Sequence, residues 1–354
     1  MEYLSGVCQG WASPSAYSWP GLALTGLAAG FALQQLARTV VNSVTSSALD
    51  LSGKHVVITG GSEGMGLAFA KLAVGDGASV TILARNQAKL DKALDELTAI
   101  VNALPDPVAD QFVDALSVDV TDGEAVTRAM AEVDAKAPVE LLIANAGYSA
   151  TGYFMDLEES DFTRSMDVNY MGVVRCAKAI VPSMIARRSG HIAIISSAMA
   201  MCGMLGYTAY APTKWALRGF ADSLRQELLP FDVSVSICYP SDVETPGFAI
   251  ENETKPPETV AMSDSGELLT AEQAAGVMYP RIRAREFHIG TDLLLDMMSW
   301  PMAAMSPRSN TVLAIAASPL VSFLTAVVGW QWDGIVHSHA SDRSDVRTHA
   351  SPLS

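Results

Sequence analysis

Tyr210 and Lys214 stand four residues apart in the run Tyr-Ala-Pro-Thr-Lys. On a helix that spacing places a phenol and an ammonium on one face, close enough to interact. A tyrosine ordinarily titrates near pH 10 and exchanges protons poorly at neutrality. A neighbouring cation favours the phenolate, so Lys214 is expected to pull the Tyr210 pKa toward the working range. One loop earlier, Ser197 follows the apolar run HIAIIS (191–196) and offers a hydroxyl to a substrate carbonyl. Tyr207 lies nearby, but nothing basic follows it at the same spacing. A Tyr/Lys pair alone, or a serine alone, is more often structural than catalytic, so their surroundings decide.

A second constellation sits where the first strand-like run, HVVIT (55–59), enters Thr-Gly-Gly-Ser-Glu-Gly-Met-Gly. Gly60 permits a tight turn, Gly64 lets backbone approach a pyrophosphate, and Gly66 allows a helix to pack closely on a strand. The helix that follows presents free N–H groups and the positive end of its dipole to phosphates. A glycine-rich turn is weak by itself; its place between strand and helix strengthens it. Ser62 and Glu63 lie inside the turn, and Glu63 brings a negative charge to the phosphate region. The second strand ends in Ala84-Arg85-Asn86 without the acidic residue that would hold a ribose 2′-hydroxyl. Arg85 suits a 2′-phosphate instead, or is a solvated surface arginine. Lys89, one turn further on, belongs with it. Asp119, followed by Val120, either accepts from an adenine amino group or serves as an acid ahead of the next helix.

These residues need an alternating α/β frame. Strand-like runs occur at 55–59, SVTILA (79–84), LSVDV (116–120), ELLIANA (140–146), HIAIIS, VSVSICY (233–239) and EFHIG (286–290). Most are short, nearly unbroken and rich in Val and Ile, as in strands buried on both faces. Between them lie Ala- and Leu-rich helical stretches such as 86–104 and 209–229. The expected fold is a doubly wound, Rossmann-type parallel sheet of about seven strands with a hydrophobic C-terminal extension.

The formal charge is −15, and no basic stretch offers itself to phosphates, which argues against nucleic-acid binding. Four scattered cysteines, with no CxxC and no His/Cys cluster, argue against a disulfide framework or a structural metal. With 49% apolar residues, the chain has more hydrophobic surface to hide than a purely soluble enzyme needs. Residues 1–50 form a leader that is either a membrane anchor or an amphipathic arm. Residues 51–292 form the catalytic domain, 293–332 a hydrophobic segment and 333–354 a polar tail. No charged side chain occurs at 309–332, which ends in Trp330 and Trp332. Length and lack of charge favour membrane association over a buried interface helix, with Pro319 suggesting a kink or a re-entrant hairpin.

Taken together, TGGSEGMG, Asn145-Ala-Gly, Asn169, Ser197 and Tyr210-xxx-Lys214 occur in the order and separations of the short-chain dehydrogenase/reductase family, which residues 51–290 resemble. The resemblance implies NADPH-dependent reduction of a ketone. Tyr210 would be the general acid, and Lys214 would tune it and bind nicotinamide-ribose hydroxyls. Ser197 would polarise the carbonyl, Asn169 would hold a water in the proton relay, and Asn145 would stabilise the strand beside the cofactor. The family's usual Pro-Gly is Pro240-Ser241 here, leaving Val243 and Thr245 to hold the nicotinamide carboxamide. A narrower resemblance, carried by GGSEGMG, LARN and YPSDVETPGFAIENETKPPET (239–259), points to a branch acting on a long-chain sphingoid ketone. That branch works at the cytosolic face of the endoplasmic reticulum membrane, so membrane lipid is an expected partner, and self-association as a homo-oligomer is compatible with the sequence. Met199, Met201, Met204 and Leu205 then suit an acyl chain, and 246–265 reads as a mobile cover. Rival readings are a membrane-associated reductase of a retinoid or steroid ketone, an epimerase sharing the Tyr/Lys pair, and a non-catalytic NADPH-binding membrane scaffold.

Overall fold

A computed structural model describes residues 48–105, 108–263, 268–303, 307 and 311–339. The leader up to residue 47 and the tail from residue 340 lie outside the described residues, and with them the expectations placed there. All elements below belong to the unit Leu49–Ser354.

Five strands are buried almost end to end: β1 (His55–Thr59), β2 (Ser79–Ala84), β4 (Val139–Ala144), β5 (Gly190–Ile195) and β6 (Val233–Tyr239). With β3 (Val113–Ser117) and β9 (His288–Gly290) they make a parallel sheet in the order β3-β2-β1-β4-β5-β6-β9. Alternate residues of each strand serve opposite layers. Val57, Leu142, Ile192 and Ile194 pack on one face with Met130, Val133, Val173, Ile180 and Leu217. Those partners come from α3 (Gly123–Lys136), α5 (Gly172–Arg187) and α6 (Ala211–Leu228). Ile58, Ile82, Leu141 and Ile143 pack on the other face with Phe69, Leu90, Leu97 and Met278. These belong to α1 (Gly64–Gly75), α2 (Gln87–Ala103) and α9 (Ala271–Arg283).

The third strand lies three residues earlier than the apolar run 116–120 suggested. It is an edge strand whose register is set by β2, with Val80 opposite Val113 and Ala84 opposite Ser117. Its residues are mostly half-buried, so an unbroken apolar run is not its signature. Asp119 therefore lies in the loop beyond the strand. Strand order reverses between β1 and β4, and the crevice at their carboxyl ends is where such sheets bind ligands.

Past β6 the chain builds a second wall. Strands β7 (Val243–Glu244) and β8 (Leu269–Thr270) pair in parallel, and the segment expected as a mobile cover contains two helices, α7 (Pro246–Asn252) and α8 (Pro257–Ser263). Thr151 Oγ1 donates to the Glu251 carbonyl at 2.9 Å, and Thr259 Oγ1 to the Leu205 carbonyl at 2.8 Å. Tyr153 donates its phenol to Glu258 Oε2 at 2.9 Å.

Beyond β9, α10 (Leu293–Met302) is rooted to the sheet edge by Arg281. That guanidinium reaches Glu286 Oε2 at 2.9 Å, Asp296 Oδ1 at 3.0 Å and the Gly290 carbonyl at 2.8 Å. The uncharged stretch is one helix, α11 (Thr311–Ser338), which continues through Pro319 and runs past Asp333. A hairpin is thus not formed: proline removes one backbone hydrogen bond, and the turns on either side carry the helix through. The polar tail accordingly begins inside a helix.

Candidate active site

The crevice is shaped first by backbone. Gly60 has φ of +65°, and a Cβ there would meet Ala146 Cα and Asn145 Nδ2 at 3.0 Å. At Gly66 a Cβ would lie 2.1 Å from the Gly60 carbonyl oxygen, so only glycine lets α1 approach the turn. Asn145 closes the turn from β4 by donating Nδ2 to the Thr59 and Gly60 carbonyls at 3.2 Å. The N-terminus of α1 has no side-chain cap, leaving its first N–H groups for an anion. Its N-cap residue Glu63 is bound instead by Lys89 Nζ at 2.7 Å, which compensates the negative charge at the turn. Arg85, well exposed at the end of β2, stands 4.0 Å from Asp119 Oδ2.

Asp119 Oδ1 accepts from the Thr121 backbone N–H at 2.9 Å and hydroxyl at 2.8 Å. Burial opposes its ionisation, but those two hydrogen bonds, helped by Arg85, hold its carboxyl below the usual value. Asp122, not Asp119, caps α3. Ser62, Val120, Val243 and Thr245 line the same crevice. Thr245 also caps α7 by accepting from Phe248 N at 3.1 Å. Ser241, in the place of the customary glycine, donates its N–H to Thr291 Oγ1 at 3.0 Å. A phosphate-bearing dinucleotide fits this arrangement: glycine space, an uncapped helix terminus and an exposed guanidinium.

Tyr210 is the N-cap of α6, and Lys214 lies one turn inside that helix. Lys214 Nζ sits 5.4 Å from the Tyr210 ring centroid and donates to the Ile195 carbonyl at 3.3 Å. It therefore addresses the ring and the end of β5 rather than the phenol oxygen. The expected fall in the Tyr210 pKa is accordingly not realised by these side chains alone. Burial raises it, Glu251 and Asp242 add to the rise, and a hydrogen bond from Ser197 opposes it. Burial pulls Lys214 down to about 8 against the attraction of Glu251.

Asn169 is fully buried in a π-helical turn, Asp167–Met171, between α4 (Glu159–Met166) and α5. Such turns add a residue to the helix and re-aim side chains, often at functional sites. Here Nδ2 donates to the Tyr148 carbonyl at 2.8 Å and to Thr213 Oγ1 at 3.0 Å, while Oδ1 accepts from Tyr148 N at 2.7 Å. Asn169 thus clamps the loop after β4 to the first turn of α6, beside Tyr210.

A family model described as short chain dehydrogenase matches residues 54–256. The chain belongs to the short-chain dehydrogenase family. Among relatives, it is 39% identical over 310 residues to a 3-ketodihydrosphingosine reductase of Bos taurus, covering 86% of this chain and 92% of that one. It is 38% identical over 298 residues to the Mus musculus protein of the same name, covering 83% and 88%. A solved short chain dehydrogenase/reductase from Burkholderia phymatum, in complex with NAD, superposes with a TM-score of 0.62 at 23% identity. That match covers 74% of this chain and 98% of the other.

In this short-chain dehydrogenase the glycine turn, Arg85, Asn145, Ser197, Tyr210 and Lys214 all border one cavity of about 1380 Å³. Of the residues singled out in the Ser197–Tyr210 loop, Met199 and Met204 face it, whereas Met201 is buried in the core. Phe248 and Ile250 of α7 border it as well. Two contributions were not visible in sequence. One is a pair of carboxylates, Asp242 and Glu251; the other is the apolar end, walled by Met297, Met298, Val321, Leu324, Val328 and Trp332. Tyr207, which has nothing basic four residues after it, donates its hydroxyl to Glu251 Oε1 at 2.5 Å. The base that accompanies it comes from the cover: Lys255 Nζ bonds the same oxygen at 2.9 Å.

Proposed function

We propose that this short-chain dehydrogenase reduces 3-ketodihydrosphingosine, a long-chain sphingoid ketone, to dihydrosphingosine, with NADPH as reductant. The supporting observation is that the cavity runs without a break from the glycine turn, past Ser197 and Tyr210, to the apolar wall of α10 and α11. One end suits a dinucleotide, the other a hydrocarbon chain, and the proton donor lies between them. The 3-ketodihydrosphingosine reductases among its relatives support the same substrate.

NADPH supplies the hydride when bound. Gly60, Ser62, Gly64 and Gly66 hold its pyrophosphate against the N-terminus of α1. Arg85 and Lys89 attract the 2′-phosphate, while Val243 and Thr245 meet the nicotinamide end. Tyr210 gives its proton to the carbonyl oxygen as charge develops there, and Ser197 donates a hydrogen bond to the same oxygen. Lys214 keeps a positive charge beneath the tyrosine, lowering the cost of the phenolate that forms. Asn169 acts through position, holding Tyr148 and Thr213 so that α6 presents Tyr210 at a fixed angle.

The stretch Leu313–Ser338 is long and apolar enough to cross a membrane. Most of its surface is exposed in the described structure, including Ile315, Phe323 and Trp330, while Val321, Leu324 and Val328 border the cavity. A helix placed this way attaches the enzyme to the bilayer and opens the acyl end of the site toward it. We place that bilayer at the endoplasmic reticulum, with the site facing the cytosol, and the catalytic domain at residues 51–292.

Supplying the full chain with NADPH and 3-ketodihydrosphingosine, a retinal or a steroid ketone tests the substrate. The sphingoid ketone is expected to have the highest kcat/KM by at least about tenfold; a better neutral ketone would overturn the assignment. Truncation before Thr311 should move the protein from the membrane to the soluble fraction after flotation. Retention on membranes would transfer the anchoring role to another segment.

A further inference from the structure

The cavity wall beside Tyr210 carries charge that ketone reduction does not need. Asp242, in the turn after β6, and Glu251, on α7, both border the cavity next to Tyr207 and Tyr210, whose ring centroids are 5.8 Å apart. Glu251 is already engaged, accepting from Tyr207 at 2.5 Å and from Lys255 at 2.9 Å through Oε1. The Lys255 side chain is only 2% exposed, so this pair is fixed in the cover rather than free in solvent. Asp242 differs. Among the described residues its carboxylate accepts no hydrogen bond, although it is half-buried at the cavity.

Lys255 is paired with Glu251, and Lys214, which Glu251 also attracts, donates to the Ile195 carbonyl and lies over the Tyr210 ring. Among the described residues neither ammonium forms an ion pair with Asp242. A partly buried carboxylate without a partner is unfavourable unless a ligand supplies one. Burial raises the Asp242 pKa; Lys255 draws it down, and the neighbouring Glu251 raises it again. A steroid or retinoid ketone has no group that would answer that charge. A sphingoid ketone does, because it carries an amine on the carbon next to the ketone.

We infer that Asp242 is a specificity-determining residue whose carboxylate receives the substrate ammonium beside the reacting carbonyl, with Glu251, fixed by Tyr207 and Lys255, shaping the corner around it. This rests on the assignment of a sphingoid ketone as substrate. Binding the amine at Asp242 fixes the adjacent carbon, which points the carbonyl toward Ser197 and Tyr210 and the chain toward α11. Asp242 is then the group that distinguishes an amino ketone from a neutral ketone of the same length.

The test uses the full-length enzyme with NADPH in detergent micelles. Two substrates are compared, 3-ketodihydrosphingosine and the same long-chain hydroxy ketone lacking the amine. In the unaltered enzyme the ratio of their kcat/KM values is expected to be at least about tenfold in favour of the amine, the order of one hydrogen bond to a charged group. Asp242→Asn should bring that ratio toward one, with the change mainly in KM, and Asp242→Glu should retain most of it. An unaltered enzyme that reduces both ketones equally would overturn the inference while leaving the substrate class intact. So would an Asp242→Asn ratio that stays unchanged. An unaltered enzyme that reduces neither long-chain ketone, but does reduce a retinal or a steroid ketone, would instead overturn the substrate assignment on which the inference depends.

Discussion

The proposed nucleotide half of the cavity, from β1 to Asp119, and the proposed substrate half, from Ser197 to Trp332, meet at Tyr210 but are held in different ways. In the first, backbone decides. A Cβ at Gly66 would collide with the Gly60 carbonyl, Gly60 sits at positive φ in tight surroundings, and Asn145 bonds two main-chain carbonyls. In the second, side chains from distant segments decide. Tyr207, Glu251 and Lys255 lock a cover to a loop some forty residues away in sequence, and Arg281 roots α10 through Glu286 and Asp296. A main-chain constraint restricts which residue types can occupy a few adjacent positions. Tertiary side-chain bonding restricts only pairs, and leaves little local trace. The glycine-turn half is thus specified residue by residue, whereas the apolar half is specified by how its segments assemble.

Breaking the shared centre should have the largest effect. Tyr210→Phe removes the proposed proton donor and keeps the ring, so kcat should fall by about 10² to 10⁴ while NADPH affinity, read by fluorescence titration, stays within about twofold. Comparable turnover would move the acid elsewhere. On the nucleotide side, Gly66→Ala forces a methyl against the Gly60 carbonyl, and an overpacking cost of about 1–3 kcal/mol predicts an NADPH Kd weaker by about 5- to 150-fold. The ketone preference among enzyme molecules that still bind NADPH should be preserved, because the second wall is untouched.

A pH profile probes the seam between the two halves. Burial sets the Lys214 pKa at about 8, below its unfolded value of 10.5, so the ammonium is present below pH 8 and lost as pH rises through it. The kcat/KM for NADPH, which reports the free enzyme, should therefore fall about tenfold per pH unit above that point. Lys214→Arg should move the limb upward, and an unmoved limb would assign it to another group. The smallest expected effect concerns Arg85, whose side chain is 64% exposed and so only moderately effective. Arg85→Ala should weaken NADPH roughly tenfold and NADH hardly at all; equal losses would exclude the 2′-phosphate role.

Much of the nucleotide half was legible because its physics is local. A strand, a glycine turn and a helix follow one another directly, and the missing Cβ atoms are written in the sequence as Gly60, Gly64 and Gly66. The parallel sheet was legible for the same reason: strands buried on both faces read as unbroken apolar runs. The exception was β3, an edge strand half open to solvent, whose position depends on the register of β2. Tyr210, Lys214, Ser197, Asn169 and Asn145 are proposed from their order along the chain, yet only the folded structure decided what each side chain touches. It turned Lys214 toward the ring and the Ile195 carbonyl, made Asn169 a clamp, and bound Glu63 to Lys89. It gave Tyr207 a partner from a cover that sequence spacing could not connect to it. It also brought Asp242 and α11 to the cavity that holds Tyr210. Sequence determined the residue types and their local geometry, because backbone sterics and periodic burial act over a few positions. Tertiary structure decided the charge around the phenol and the shape of the substrate wall, because both depend on groups that only folding brings within a few ångströms.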